Sequence, residues 1–73
     1  MRQTIIARWE SRSGKHWANL IEHEDGCYTY DSPDAGGCIG VLPRGEAMET
    51  MQGKVASGYF LPDNAKTPMR RVS

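Results

Sequence analysis

Much of what this 73-residue chain can do is limited by what it lacks. It holds two cysteines and two histidines, and it carries no net charge at neutral pH. His16, His23, Cys27 and Cys38 are metal-ligand types, but no Cys-x-x-Cys or His-x3-His pair is present to nucleate a tetrahedral site. Gly36, Gly37 and Gly40 lie close together without the Gly-Lys-Ser/Thr ending of a phosphate loop, and they precede a strand, not a helix. The Gly14-Lys15 pair in "SRSGK" lacks the rest of that loop as well. A cysteine nucleophile needs a base held by a third group; His23 can neighbour Cys27, but nothing supplies an oxyanion arrangement. The chain is therefore expected not to be an enzyme and to hold no cofactor or metal. No apolar run approaches the roughly 18 residues that span a bilayer. The opening "MRQTIIARWESRSGKHW" becomes charged after Ile6, too early for the apolar region of a secretory signal. A cytoplasmic protein without membrane contact is the expectation. Thiols are normally kept reduced there, so Cys27 and Cys38 need not be joined even if the fold brings them together.

What is present describes an ordinary globular chain. Hydrophobic residues at 38% and charged residues at 25% are enough for a core, and the length admits one domain, residues 1–73. The charges are segregated. Between Glu22 and Glu49 seven acids (Glu22, Glu24, Asp25, Asp31, Asp34, Glu46 and Glu49) face Arg44 alone. The flanks hold Arg2, Arg8, Arg12, Lys15, Lys54, Lys66, Arg70 and Arg71 against Glu10 and Asp63. Two electrostatic faces are expected on a neutral molecule.

Strands are predicted over about 4–10, 16–24, 27–31 and 38–42, a helix over about 44–57, and an extended tail over 61–73. "TIIARWE" and "CYTY" are rich in β-branched and aromatic residues, "SRSGK" reads as a turn, and "SPDAGG" reads as another. Asp25-Gly26 is read as a two-residue type I′ hairpin turn, which sets Ile21 opposite Tyr30. A symmetric first hairpin sets Trp9 opposite Trp17 and Ile5 opposite Ile21. One face then carries Ile5, Ala7, Trp9, Trp17, Asn19, Ile21, His23, Tyr28 and Tyr30, and the other carries Ile6, Arg8, Ala18, Leu20, Cys27 and Thr29. Ala47, Met48, Met51 and Val55 recur at helical spacing after Pro43, with Gly58 as a stop. The fold class is thus α+β: a small antiparallel sheet of three to four strands with one helix in the C-terminal half packed on one face. Trp9, Trp17 and Ile21 are expected under Met48, Met51 and Val55, the cysteines are small packing residues, "MRRV" is a candidate edge strand, and a homodimer through an exposed sheet edge is one possible assembly.

The stretches "ARWESRSGKHWANL", "DGCYTYDSPDAGGCIG" and "VASGYFLPDNAKTPMRRV" resemble the short accessory proteins of bacteriophages and prophages. Anti-CRISPR inhibitors are the best-understood group among them: small, mostly non-enzymatic, and often blocking a nucleic-acid-binding complex with an acidic face. The resemblance implies a host protein or ribonucleoprotein complex as partner, met in the bacterial cytoplasm. Glu22, Glu24, Asp25, Asp31 and Asp34 are the candidate contact residues, because carboxylates on exposed turns can occupy a basic groove. The chain departs from strongly acidic mimics in having no net charge. The alternative is a small nucleic-acid-binding protein that uses sheet aromatics together with Arg8, Arg12, Lys15, Arg70 and Arg71.

Overall fold

The computed structural model describes residues 2–33, 35–61 and 69–73. Six elements follow in order: β1 (Gln3–Glu10), β2 (Trp17–His23), β3 (Cys27–Asp31), β4 (Gly36–Val41), α1 (Arg44–Ala56) and β5 (Arg70–Arg71). The strands form one sheet in the order β4-β3-β2-β1-β5, with every neighbouring pair antiparallel. The α+β class is as expected, but the sheet has five strands where three or four were predicted. Arg70 and Arg71 pair with Glu10 and Trp9, and the ladder continues as Val72 N–H donates to the Arg8 carbonyl at 2.8 Å. Most of the predicted extended tail, residues 62–68, lies outside the described residues.

Two departures from the simplest hairpins decide which side chains share a face. The β2–β3 turn holds three residues, Glu24, Asp25 and Gly26, with only Gly26 at positive φ (89°) and its N–H donating to His23 O at 3.0 Å. Asp25 keeps a negative φ, so a type I′ turn is not formed. Its carboxylate instead accepts from Cys27 N–H at 3.0 Å. The pairing slips by one residue, placing Leu20 opposite Tyr30 and Glu22 opposite Tyr28. In the first hairpin Ile5 does oppose Ile21, but a bulge at Ile6 shifts the ladder so that Ala7 meets Leu20 and Trp9 meets Ala18. A one-residue slip moves a strand's whole side-chain set to the opposite face. Trp9 and Tyr28 are therefore joined in the core by Ala18 and Leu20, not by Trp17 and Ile21. The last two lie on the opposite face, half-buried, which corrects the expected core.

α1 covers the face made by Ala7, Trp9, Ala18, Leu20 and Tyr28. Ala47, Met51 and Val55, four residues apart, are its buried stripe, and Met48 packs at the margin. Glu46 in the first turn and Lys54 in the last suit the helix dipole. The helix ends at Ala56; Gly58 at φ 80° reverses the chain, its N–H donating to Val55 O at 3.1 Å. Tyr59 and Phe60 then fold back onto Tyr30, with Phe60 edge-on to Tyr30 at 5.5 Å and the Tyr30 and Tyr59 hydroxyls 3.1 Å apart. Gly37, opposite Tyr30, gives that ring its room: a Cβ there would lie 2.6 Å from the Tyr30 hydroxyl.

Candidate functional site

With one helix on one side, the opposite side of the sheet has no layer over it among the described residues. From β4 to β5 this open face carries Val41, Cys38, Cys27, Thr29, Asp31, Trp17, Asn19, Ile21, His23, Ile5, Arg8, Glu10 and Val72, a set fixed by strand register. Its apolar members include the most exposed large aliphatic side chains among the described residues: Val41 is 76% exposed, Ile5 56% and Val72 44%. A polar row crosses the middle. Arg8 donates to Asn19 Oδ1 at 3.1 Å, pairs with Glu10 at 2.7 Å and lies 4.9 Å over the Trp17 ring. Next to it, His23 and Thr29 share a hydrogen bond of 2.7 Å.

The five candidate acidic contacts do not form one patch. Glu22 projects to the helix side, where Arg44 grips it in a fork, Nε to Oε2 at 3.0 Å and Nη2 to Oε1 at 2.9 Å, and the Tyr28 hydroxyl donates to the same carboxylate. Glu24 and Asp25 sit exposed in the β2–β3 turn. Asp31 lies exposed at the far end of β3, and Asp34 lies outside the described residues. Of the alternative set, all but Arg71 share one end of the open face. The exposed Arg12 and Lys15 stand in the β1–β2 turn, Arg70 lies opposite Glu10, which is itself opposite Trp17, and Arg8 is in the adjoining row. Arg71 pairs with buried Trp9 and so lies on the helix side of the sheet. The four aromatics, however, are not together on an exposed surface: Trp9 and Tyr28 are buried and Tyr30 faces the helix side, leaving Trp17 alone on the open face.

The turn at the basic end is built by Ser11. Its N–H donates to His16 O at 2.8 Å while its hydroxyl accepts from His16 N–H at 3.2 Å, and Gly14 at φ 78° closes the loop. Arg12 and Lys15 are carried on its exposed rim.

The Arg44 guanidinium, and after it the Tyr28 hydroxyl, hold the Glu22 carboxyl below its ordinary value of 4.5. The same bond raises the Tyr28 hydroxyl above its ordinary value. Because the folded value of Glu22 is the lower one, its contribution to stability is present above the ordinary carboxylate value and is lost as pH falls through the folded value. Urea midpoints measured across that acidic range should fall more steeply for the wild type than for Glu22→Gln; parallel slopes would contradict the coupling.

Arg2, Thr4, Glu22, His23 and Glu24 line a shallow cleft of about 120 Å³. Small-molecule sites are usually about 300–1,000 Å³, so this cleft fits a side chain better than a metabolite. Among the described residues no three His, Cys, Asp or Glu side chains converge as a metal site, and no helix is long and apolar enough to cross a membrane. Cys27 and Cys38 do meet, with sulfurs 3.6 Å apart. The open-face aliphatics Ile5, Ile21, Val41 and Val72 and the Glu22–Arg44 fork are the features that sequence reading missed. Alternation of polar residues on β1, β2 and β3 (Arg8, Glu10, Asn19, Thr29) with the buried set was the available signal. Comparison of the chain with family models, with curated proteins and with solved structures finds no match, and so the geometry above is the ground for function.

Proposed function

We propose that this chain is a small non-enzymatic binding protein, phage-encoded and acting in the host cytoplasm, that inhibits or modulates a host macromolecular complex in the manner of an anti-CRISPR protein. It acts through protein–protein contacts. The observation that carries this reading is the uncovered sheet face, where the exposed Ile5 pairs with Ile21 at the centre and the exposed Val41 and Val72 stand on the two edge strands. Exposed apolar groups on a sheet face that no second layer covers mark a contact surface, and interfaces combine apolar contacts with a polar rim. Asp31 belongs to that rim, and Glu24 and Asp25 extend it at the β2–β3 turn. Arg12, Lys15 and Arg70 make its other end cationic, so the fitting partner is a protein surface whose apolar contact area is bordered by cations at one end and by carboxylates at the other.

Paired baits test this, one wild type and one carrying Ile21→Asp with Val41→Asp. A defined protein retained by the wild type, and bound at least about tenfold more weakly by the double variant once purified, is the expected result. Equal retention by both baits, or self-association of the wild type as the sole complex, would count against it.

A second reading is favoured by the placing of Arg8, Arg12, Lys15 and Arg70 at the end of the sheet that carries Trp17, with Arg71 on the other face of the same edge: binding of a nucleic-acid strand along the basic end. Its signature is a gel shift with mixed-sequence DNA or RNA that weakens steeply with salt and is lost in an Arg12→Ala, Lys15→Ala, Arg70→Ala variant. That result would move the function to nucleic acid.

A further inference from the structure

Cys27 and Cys38 lie on adjacent strands with Sγ atoms 3.6 Å apart. They are diagonal neighbours on the open face: Cys27 opposes Val41, and Thr29, two residues on, opposes Cys38. A bulge at Ile39, with Gly40 at φ 125°, sets this juxtaposition. Cys38 is exposed and sits on β4, an edge strand with one neighbour in the sheet, while Cys27 is half-buried and hydrogen-bonded to it. A disulfide requires the sulfurs to close to about 2.05 Å, an approach of the order of 1.5 Å, which an edge strand can supply without disturbing the helix side. No other cysteine is present in the chain to compete.

We propose that Cys27 and Cys38 are a redox-active dithiol, a modification site that closes reversibly into a cross-strand disulfide on the open face when it meets a low-molecular-weight disulfide such as oxidised glutathione. Cys38, the exposed thiol, attacks as the thiolate on one glutathione sulfur, forming a mixed disulfide and releasing one glutathione thiolate. Cys27 loses its proton to solvent and attacks Cys38 Sγ, forming the Cys27–Cys38 bond and expelling the second glutathione. Two protein thiols are oxidised and one glutathione disulfide is reduced to two glutathione molecules. The order of attack follows from exposure; it is also the order favoured by the Cys27 thiol being pushed up by its hydrogen bond to Cys38 and by burial.

The experiment equilibrates the full chain in buffers of varied reduced and oxidised glutathione, alkylates the remaining thiols, and weighs the products. The expected wild-type product is a monomer lighter by two hydrogens, with its yield independent of protein concentration. Cys27→Ser should stop at the glutathione adduct on Cys38. The native chain should favour the disulfide over the urea-denatured chain by at least about tenfold, because the fold raises the effective concentration of one thiol at the other. This last comparison needs no variant to fold. Glutathione adducts accumulating on the wild type, disulfide-linked dimers as the main product, or a native chain no more readily closed than the denatured one would each overturn the proposal.

Discussion

Trp9→Ala is expected to remove a large share of the protein's stability, and Trp17→Ala only a small one. Trp9 is 4% exposed and packs among Ala7, Ala18, Leu20 and the helix residues Met51 and Val55, with Met69 closing the cluster. Removing a buried tryptophan costs about 3–5 kcal/mol through lost transfer energy and the cavity left behind. A chain this short has roughly 4–11 kcal/mol in all, at about 0.05–0.15 kcal/mol per residue. The loss is therefore a large share of the total. Trp17, on the open face, gives up its stacking with Arg8, worth about 1 kcal/mol. Urea denaturation of both variants, followed by circular dichroism, separates the two. Equal destabilisation, or the larger effect at Trp17, would place the helix on the wrong face of the sheet.

Gly37→Ala should destabilise by about 1–3 kcal/mol, an unusual sign for a glycine in a strand without positive φ. The new Cβ would stand 2.6 Å from the Tyr30 hydroxyl, 2.9 Å from Cζ and 3.1 Å from Cε1, so the ring as a whole must move. The ring is held by the Tyr59 hydroxyl at 3.1 Å, by Phe60 and Tyr59 edge-on at 5.5 and 6.0 Å, and by the Lys54 ammonium 5.2 Å from its centroid. Displacing it loosens the turn that pins the helix C-terminus to β3. In a Tyr30→Ala background the same change should be neutral or slightly stabilising, since alanine loses less backbone entropy on folding than glycine does. A double-mutant cycle of thermal or urea stability reads this reversal, and additivity of the two changes would contradict it.

The class of fold, with its strands preceding one helix, was largely legible in the sequence, because turn residues separate segments that carry their own periodicity. "SRSGK" marks a turn, and Ala47, Met51 and Val55 mark a stripe; of "SPDAGG", read as a turn, Gly36 and Gly37 belong to β4. The assignment of faces was not legible, because it depends on single-residue events with no strong local signature. Asp25-Gly26 suits either a two-residue turn or the last two positions of a three-residue loop, and the choice between them moves Leu20 and Ile21 to opposite sides. The bulge at Ile6 falls in "TIIARW", where consecutive apolar residues hide a change of register. Pairing polar residues is more informative: Arg8 and Asn19 lie opposite each other and hydrogen-bond, and that match is possible only in the shifted ladder. β5 was anticipated only as a candidate, since two arginines carry no strand propensity and their pairing is fixed by the backbone of β1. For the site, the acidic candidates were visible as a charge run, yet a run along the chain alternates sides in a sheet. Glu22 thus turns to Arg44 while Asp31 stays on the open face.

The most direct test of the central claim, that the open face is where a protein partner binds, is site-specific photo-cross-linking in host cells producing the protein. The cross-linking residue is placed in turn at Ile5, Ile21 and Val41 on the open face, and at Glu49 and Gln52 on the exposed side of α1. Capture of one defined host protein from the open-face positions, and not from the helix positions, is the expected result. Capture from the helix positions alone, or capture of nucleic acid or of a second copy of the chain at the open face, would contradict it.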